Sequence, residues 1–195
     1  GSDDASESTT TGTLTFTPIN WDTAQTVTVT GVDDNLIDGT QVSTITISVI
    51  DAISDNNFDA VADQTVSVST TDDDVAGFTI EETNGSTAVD ESGTTDLFTV
   101  VLDAQPNSNV VITLSSNDGS EISIPSSLTF TSANWDTAQT VTVTGVDDSI
   151  IDGTITSTIT VAVDDANSDN DFDAVANQTV SVDTTDDDVA GFTVD

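Results

Sequence analysis

The densest chemistry in this sequence lies in Gly145-Val146-Asp147-Asp148-Ser149-Ile150-Ile151-Asp152-Gly153-Thr154, where Asp147, Asp148 and Asp152 put three carboxylates into six residues. The same pattern occurs earlier as Gly31-Val32-Asp33-Asp34-Asn35-Leu36-Ile37-Asp38-Gly39-Thr40. No Lys, Arg or His occurs anywhere in the chain to neutralise these acids. Carboxylates crowded without a counter-charge must repel one another or hold protons, unless a cation joins them. With no Cys and no His, the only donors left are oxygens: carboxylates, amides, hydroxyls and backbone carbonyls. Such a donor set suits a hard cation, Ca²⁺ first, which takes 6–8 oxygens at about 2.3–2.6 Å.

The whole composition agrees with that chemistry. The 195 residues carry 36 Asp plus Glu and a formal charge of −36. A field of that sign repels nucleic acid and anionic membrane surfaces, so neither is expected as a partner. It also strains the compact state by self-repulsion. Salt near that of seawater shortens the Debye length to about 3–5 Å and softens the effect. The absence of Lys, Cys and His removes Schiff-base, disulfide, thiolate and imidazole chemistry. No apolar run approaches the roughly 20 residues that span a bilayer, and no signal peptide is visible. Gly1-Ser2 reads as a cloning remnant, and the chain as an internal stretch of a larger protein. An acidic, cysteine-free composition suits an extracellular, salty setting.

An internal repeat organises the chain. Asn20-Trp21-Asp22-Thr23-Ala24-Gln25-Thr26 returns from Asn134, and 134 − 20 = 114. Asp72-Asp73-Asp74-Val75-Ala76-Gly77-Phe78 returns from Asp186, and 186 − 72 = 114. The register runs without a gap from about Leu14 to the end. The period therefore divides the chain into the later part of one repeat at 1–74, a complete repeat at 75–188, and the opening strand of a third at 189–195.

Within the complete repeat every signal is β. Alternating or apolar stretches at 77–82, 96–102, 109–115, 127–131, 139–146, 155–163 and 178–184 read as seven strands, with no helical period of useful length. Phe98, Val100, Leu102, Val110, Ile112, Leu114, Leu128, Phe130, Val141, Val143, Ile155, Ile159, Val161, Val163, Val180 and Val182 are the expected apolar residues of these strands. Asn84-Gly85 is a strong tight-turn pair. Seven strands in about 110 residues predict an antiparallel sandwich of immunoglobulin-like size, repeated every 114 residues. Trp135 is expected to cap the core between the fourth and fifth strands.

Strand direction then gathers the acids. If successive strands run up and down, four places share one pole: the connections after the first, third and fifth strands, and the end of the seventh. They carry Glu91, Asp118, the Asp147/Asp148/Asp152 cluster, and Asp186, Asp187 and Asp188. Such a set has enough oxygens for two or more Ca²⁺. The opposite pole carries the loop at 164–173, whose acids read as solvated.

Glu-Ser-Gly after the first strand, Asn-Asp-Gly after the third, Gly-Val-Asp-Asp-x-x-x-Asp-Gly after the fifth and Asp-Asp-Asp after the seventh together resemble the Calx-β domain. The resemblance covers 75–188 fully and 1–74 in part. It implies Ca²⁺ bound by acidic loops at one tip of a seven-stranded sandwich, as in tandem arrays of large bacterial surface adhesins. The implied ligands are Glu91, Asp118, Asp147, Asp148, Asp152, Asp186, Asp187 and Asp188. In the earlier copy, Asp33, Asp34, Asp38, Asp72, Asp73 and Asp74 are expected to do the same at the junction between repeats. The expected function is a calcium-binding structural repeat of an extracellular adhesin or surface filament, with neighbouring repeats as partners. Any cell-surface or glycan ligand would be met by other domains. The alternative is a calcium-dependent module that itself binds carbohydrate or a host protein. A catalytic carboxylate pair from Glu91 and Asp118 is disfavoured, because no cation or apolar pocket is visible to separate their pKa values. Residues 1–74 lack counterparts of the first three strands and are not expected to close a sandwich alone.

Overall fold

The computed structural model describes residues 1–194. Two compact units divide it, Gly1–Asp73 and Asp74–Asp195. The terminal Asp195, which closes the expected strand at 189–195, lies outside the described residues.

The first unit contains β1 (Ser8–Thr10), β2 (Val29–Gly31), β3 (Gln41–Ile47) and β4 (Gln64–Thr70). They form two antiparallel pairs, β1–β2 and β3–β4. The second unit contains β5 (Phe78–Glu82), β6 (Thr87–Asp90), β7 (Thr95–Leu102), β8 (Val110–Ser116), β9 (Ile122–Ser123), β10 (Ser127–Phe130), β11 (Gln139–Gly145), β12 (Ile155–Val163) and β13 (Gln178–Thr185). It is a β-sandwich. One sheet has the order β10-β8-β12-β13-β6 and the other β5-β7-β11-β9.

The two-residue period of a strand explains the core. Along β7, Phe98, Val100 and Leu102 point inward and are buried. On β11, Val141 and Val143 are buried while Thr140 and Thr142 face outward. Ile112, Phe130, Ile159, Val161, Val180 and Val182 complete the interior. Phe172, from a 3-10 turn at Asn170–Phe172, adds a plug at the far pole. Trp135 is half-buried, and its backbone carbonyl accepts from the Leu102 N–H at 3.1 Å.

One feature departs from the expected all-antiparallel arrangement. The Asn84-Gly85 turn does not fold the first strand back on itself. Asn84 (φ 58°) and Gly85 (φ 80°) both take left-handed conformations and carry the chain from one sheet to the other. Beyond the turn, β6 pairs in parallel with β13, with Val182 opposite Thr87 and Thr185 opposite Asp90. Alternation records which face of a strand is buried. It records neither the neighbour nor its direction, so β6 was not legible in the pattern. The two-residue β9 was too short to be.

The contacts of the first unit recur 114 residues later. Ser8 opposite Gly31 becomes Ile122 opposite Gly145. Gln41 opposite Thr70 becomes Ile155 opposite Thr184. Asp4 Oδ1 accepts the Ser6 N–H at 3.1 Å, as Asp118 Oδ1 accepts the Ser120 N–H at 3.1 Å. The equivalence thus reaches upstream of Leu14, where the sequences themselves diverge. Residues 189–194 form no strand, and Val189, Phe192 and Val194 are exposed. Phe78 and Ile80, the equivalents of Phe192 and Val194, are held by pairing with β7.

Candidate metal centre

Four chain segments of the second unit meet around Glu91, and backbone hydrogen bonds tie them together. The Glu91 N–H donates to the Thr185 carbonyl at 3.0 Å, joining the β6–β7 turn to the end of β13. The Gly145 N–H donates to the Thr94 carbonyl at 3.0 Å, and the Val146 N–H to the Glu121 carbonyl at 2.9 Å. Those bonds lock the end of β11 between the β6–β7 turn and the β8–β9 connection. Gly145 is required there, because a Cβ would collide with the Asp90 carbonyl oxygen.

The acids fall into two groups of three that share Asp148. Carboxylate oxygens of Glu91, Asp148 and Asp188 lie within 4.8 Å of one another, as do those of Glu121, Asp148 and Asp152. Two oxygens that each sit about 2.4 Å from one ion cannot be more than about 4.8 Å apart, so both groups have the span of a calcium coordination shell.

Burial makes the arrangement unusual. Glu91 is fully buried, and neither Oε1 nor Oε2 has a hydrogen-bond donor. Glu121 is buried with Oε2 unpartnered, and Asp188 Oδ2 is unpartnered as well. Buried carboxylate oxygens are normally satisfied, because leaving them unpaired is costly. Desolvation, reinforced by the charges of Asp148, Asp186, Asp152 and Glu121, pushes the Glu91 carboxyl up to about 7. Desolvation raises Glu121 and Asp188 too, with Asp152 and Asp186 respectively the largest neighbouring charges. All the donors are oxygen and several lack any proton to accept. These residues fit Ca²⁺.

The other expected ligands stand differently. Asp186 braces the site: Oδ2 accepts the Gly153 N–H at 3.0 Å and Oδ1 the Asp188 N–H at 2.7 Å. Those two bonds hold its carboxyl below the usual range. Asp118 Oδ1 accepts from both the hydroxyl and the N–H of Ser120, which lowers its pKa, and it belongs to neither group. Asp147 and Asp187 are also outside both groups. Glu121 was missed in the sequence. The available signal was its position three residues after Asp118, in a connection already assigned to the acidic pole.

In the first unit, Asp72 Oδ2 accepts the N–H groups of Asp38 and Gly39 at 3.0 and 2.8 Å, and Asp34 Oδ1 accepts the Leu36 N–H at 2.8 Å. Glu7, half-buried, has its carboxyl raised by desolvation and then by Asp38, Asp34, Asp4 and Asp72. Among the described residues, no three acids of this unit come as close together as the two groups above, and Asp33, Asp34, Asp38, Asp72, Asp73 and Asp74 are in neither.

At the opposite pole, the loop acid Asp169 is occupied. It accepts the Ser108 N–H at 2.6 Å and the Asp171 N–H at 3.2 Å. Burial acts to raise its pKa, but these bonds outweigh it and the carboxyl is lowered.

No family model and no curated protein matches the chain. Among solved structures, it is similar to the apo-form Calx CBD1 domain at 15% identity and a TM-score of 0.43, over 59% of this chain and 100% of that one. It is similar to domains 4 and 5 of the S-layer protein SbsC at 17% identity and a TM-score of 0.39, over 82% of this chain and 62% of that one. It is similar to a PapD-like domain of human CEP192 at 12% identity and a TM-score of 0.39, over 58% of this chain and 87% of that one. These are likenesses of fold alone.

Proposed function

We propose that this chain is a calcium-binding structural repeat of an extracellular surface protein, of the Calx-β kind found in adhesin or filament arrays, and that it has no catalytic role. One observation carries the reading: Glu91 is fully buried, both its oxygens are orphaned, and it faces Asp148 and Asp188 in a chain with no cationic side chain. Glu91, Asp148 and Asp188 would hold one Ca²⁺, and Glu121, Asp148 and Asp152 a second. Asp186 would position both from behind. The bound ions neutralise the pole and cross-link four segments already tied by backbone bonds and by the Asp186 side chain. Modules that work outside the cell need only submillimolar to millimolar affinity, which suits ligands on loops.

The repeat at 75–188 would be complete, 1–74 the later part of the repeat before it, and 189–195 the opening of the next. Calcium at Asp33, Asp34, Asp38, Asp72, Asp73 and Asp74 would stiffen the junction between repeats, since Val75-Ala76-Gly77 is too short for a free tether. Calorimetric titration should give about two ions for the second unit, with an affinity near that of other extracellular modules. Small-angle scattering should give a longer maximum dimension with calcium than with chelator. No heat of binding would refute the metal site, whereas an unchanged dimension would refute only the stiffening.

A further inference from the structure

The connection between β8 and β9 carries a small hydrogen-bonded clip that ends on Glu121. Ser116 Oγ accepts the Asp118 N–H at 3.0 Å and donates to the Asp118 carbonyl at 2.8 Å. Asp118 Oδ1 accepts the Ser120 hydroxyl at 2.6 Å and the Ser120 N–H at 3.1 Å. The Ser120 hydroxyl, then the N–H groups of Ser120 and Glu121, hold that carboxyl below its usual range. Serine and aspartate close local turns of this kind on nearby backbone groups.

Both ends of the clip are anchored, one to each sheet. The Asn117 N–H donates to the Thr158 carbonyl at 3.1 Å and the Thr158 N–H to Asn117 Oδ1 at 2.7 Å, which ties it to β12. The Val146 N–H donates to the Glu121 carbonyl at 2.9 Å, which ties it to the residue after β11. Beyond these anchors the Glu121 side chain is buried with Oε2 unpartnered, and it lies among the oxygens of Asp148 and Asp152.

The first unit builds the same clip. Ser2-Asp3-Asp4-Ala5-Ser6-Glu7 stands where the second unit has Ser116-Asn117-Asp118-Gly119-Ser120-Glu121. Ser2 Oγ accepts the Asp4 N–H at 3.2 Å and donates to the Asp4 carbonyl at 2.8 Å. Asp4 Oδ1 accepts the Ser6 hydroxyl at 2.5 Å and the Ser6 N–H at 3.1 Å. The Glu7 carbonyl accepts the Val32 N–H at 3.0 Å. Directly after the glutamate the sequences part, Ser8-Thr9-Thr10 against Ile122-Ser123-Ile124. What the two copies share in this stretch is the clip and the glutamate it carries.

We infer that Asp118 is a positioning residue and not a ligand: with Ser116 and Ser120 it aims Glu121 at Asp148 and Asp152, and so sets the affinity of the second calcium. The inference rests on the calcium reading above. Asp118 Oδ1 is taken by two donors, whereas Glu121 Oε2 accepts from none. Groups that hold a metal ligand in place cost about 10–100-fold in affinity when removed.

The test follows calcium titration of the full chain by amide NMR. The Gly153 amide reports the ion at Glu121, Asp148 and Asp152, and the Ser92 amide, beside Glu91, reports the other. Asp118→Ala opens the clip and should weaken the binding seen at Gly153 at least about tenfold, and by more than the binding seen at Ser92. Asp118→Asn keeps an oxygen for Ser120 and should bind at Gly153 as the unchanged chain does. Ser116→Ala alters no acid and should weaken the binding at Gly153 as Asp118→Ala does; it decides the matter if Asp118→Ala fails to fold. A loss of about tenfold in Asp118→Asn would overturn the inference, because calcium would then be using the charge of Asp118. Undiminished binding at Gly153 in Ser116→Ala would overturn it too, because the clip would then position nothing. Either result leaves calcium bound to the unchanged chain. No calcium-dependent shift at Gly153 or Ser92 in that chain is instead the failure of the metal site, and the inference falls with it.

Discussion

Glu91 is where the sequence and the metal-site proposal meet most sharply. A fully buried carboxylate with two orphaned oxygens makes sense only if something positive reaches it, or if it keeps its proton. Glu91→Gln should therefore act in opposite directions. Without calcium it removes a charge that burial and four neighbouring acids disfavour, so the chelated protein should melt at a higher temperature than wild type. With calcium it removes a ligand oxygen's charge, and titration should show at least about tenfold weaker binding, the lower end of what even supporting residues cost a metal site. The pH dependence follows from the same shift. The folded-state pKa of Glu91 is raised from 4.5 to about 7, so the folded state binds more protons than the unfolded chain over that interval. Its contribution to stability is fully present below 4.5 and lost as pH rises through 7. Urea unfolding of the calcium-free protein should show stability falling across that window, and calcium should flatten the fall. At this scale the pole an acid reaches was legible from the loop it occupies: Glu91 and Asp188 lie beside Asp148 in one group of acids, and Asp152 lies beside it in the other. An acid's role was not legible where local bonding decides. Asp118 is occupied by Ser120, while Glu121 points to the acids. Both lie in one short connection, and spacing does not say which of two acids turns inward.

At the scale of elements, the loop between β11 and β12 depends on how β11 ends. Gly145 is squeezed between Thr94 and Asp90, and a methyl group there has no room. Gly145→Ala should destabilise the second unit by about 2 kcal/mol or more, in the range of overpacking at a rigid site. Its equivalent Gly31 faces only the Thr70 methyl at 3.6 Å, so Gly31→Ala should stay within about 0.5 kcal/mol. Chemical denaturation of both variants distinguishes a steric cause from a general aversion to alanine in this loop. The strands themselves were readable, because alternation with a buried face is what a sandwich demands of each of them. Phe98, Ile112, Phe130, Val141 and Val161 are all in the core as the pattern requires. The parallel β6 escaped because its four residues, Thr-Ala-Val-Asp, carry too little alternation to announce a strand. Its partner is also chosen by a turn conformation at Asn84-Gly85 that two sequence letters do not specify.

For the whole molecule, the governing number is a formal charge of −36 with no basic side chain. Such a chain resists compaction through self-repulsion, and monovalent salt relieves that only by screening. A specific calcium site acts differently, since it binds the folded state and stabilises it by mass action. The two effects separate when ionic strength is held fixed. The most direct measurement is the thermal unfolding of the second unit, followed through Trp135 in a Trp21→Phe chain, in calcium at about 100 times the titrated dissociation constant and in chelator with sodium chloride matching the ionic strength. Calcium at about 100 times its dissociation constant adds about 2.7 kcal/mol, which for a domain of this size raises the melting temperature by about 10 °C or more. The account predicts that rise, and predicts that it is largely lost in Glu91→Gln. Equal melting temperatures in calcium and in matched sodium chloride would contradict it.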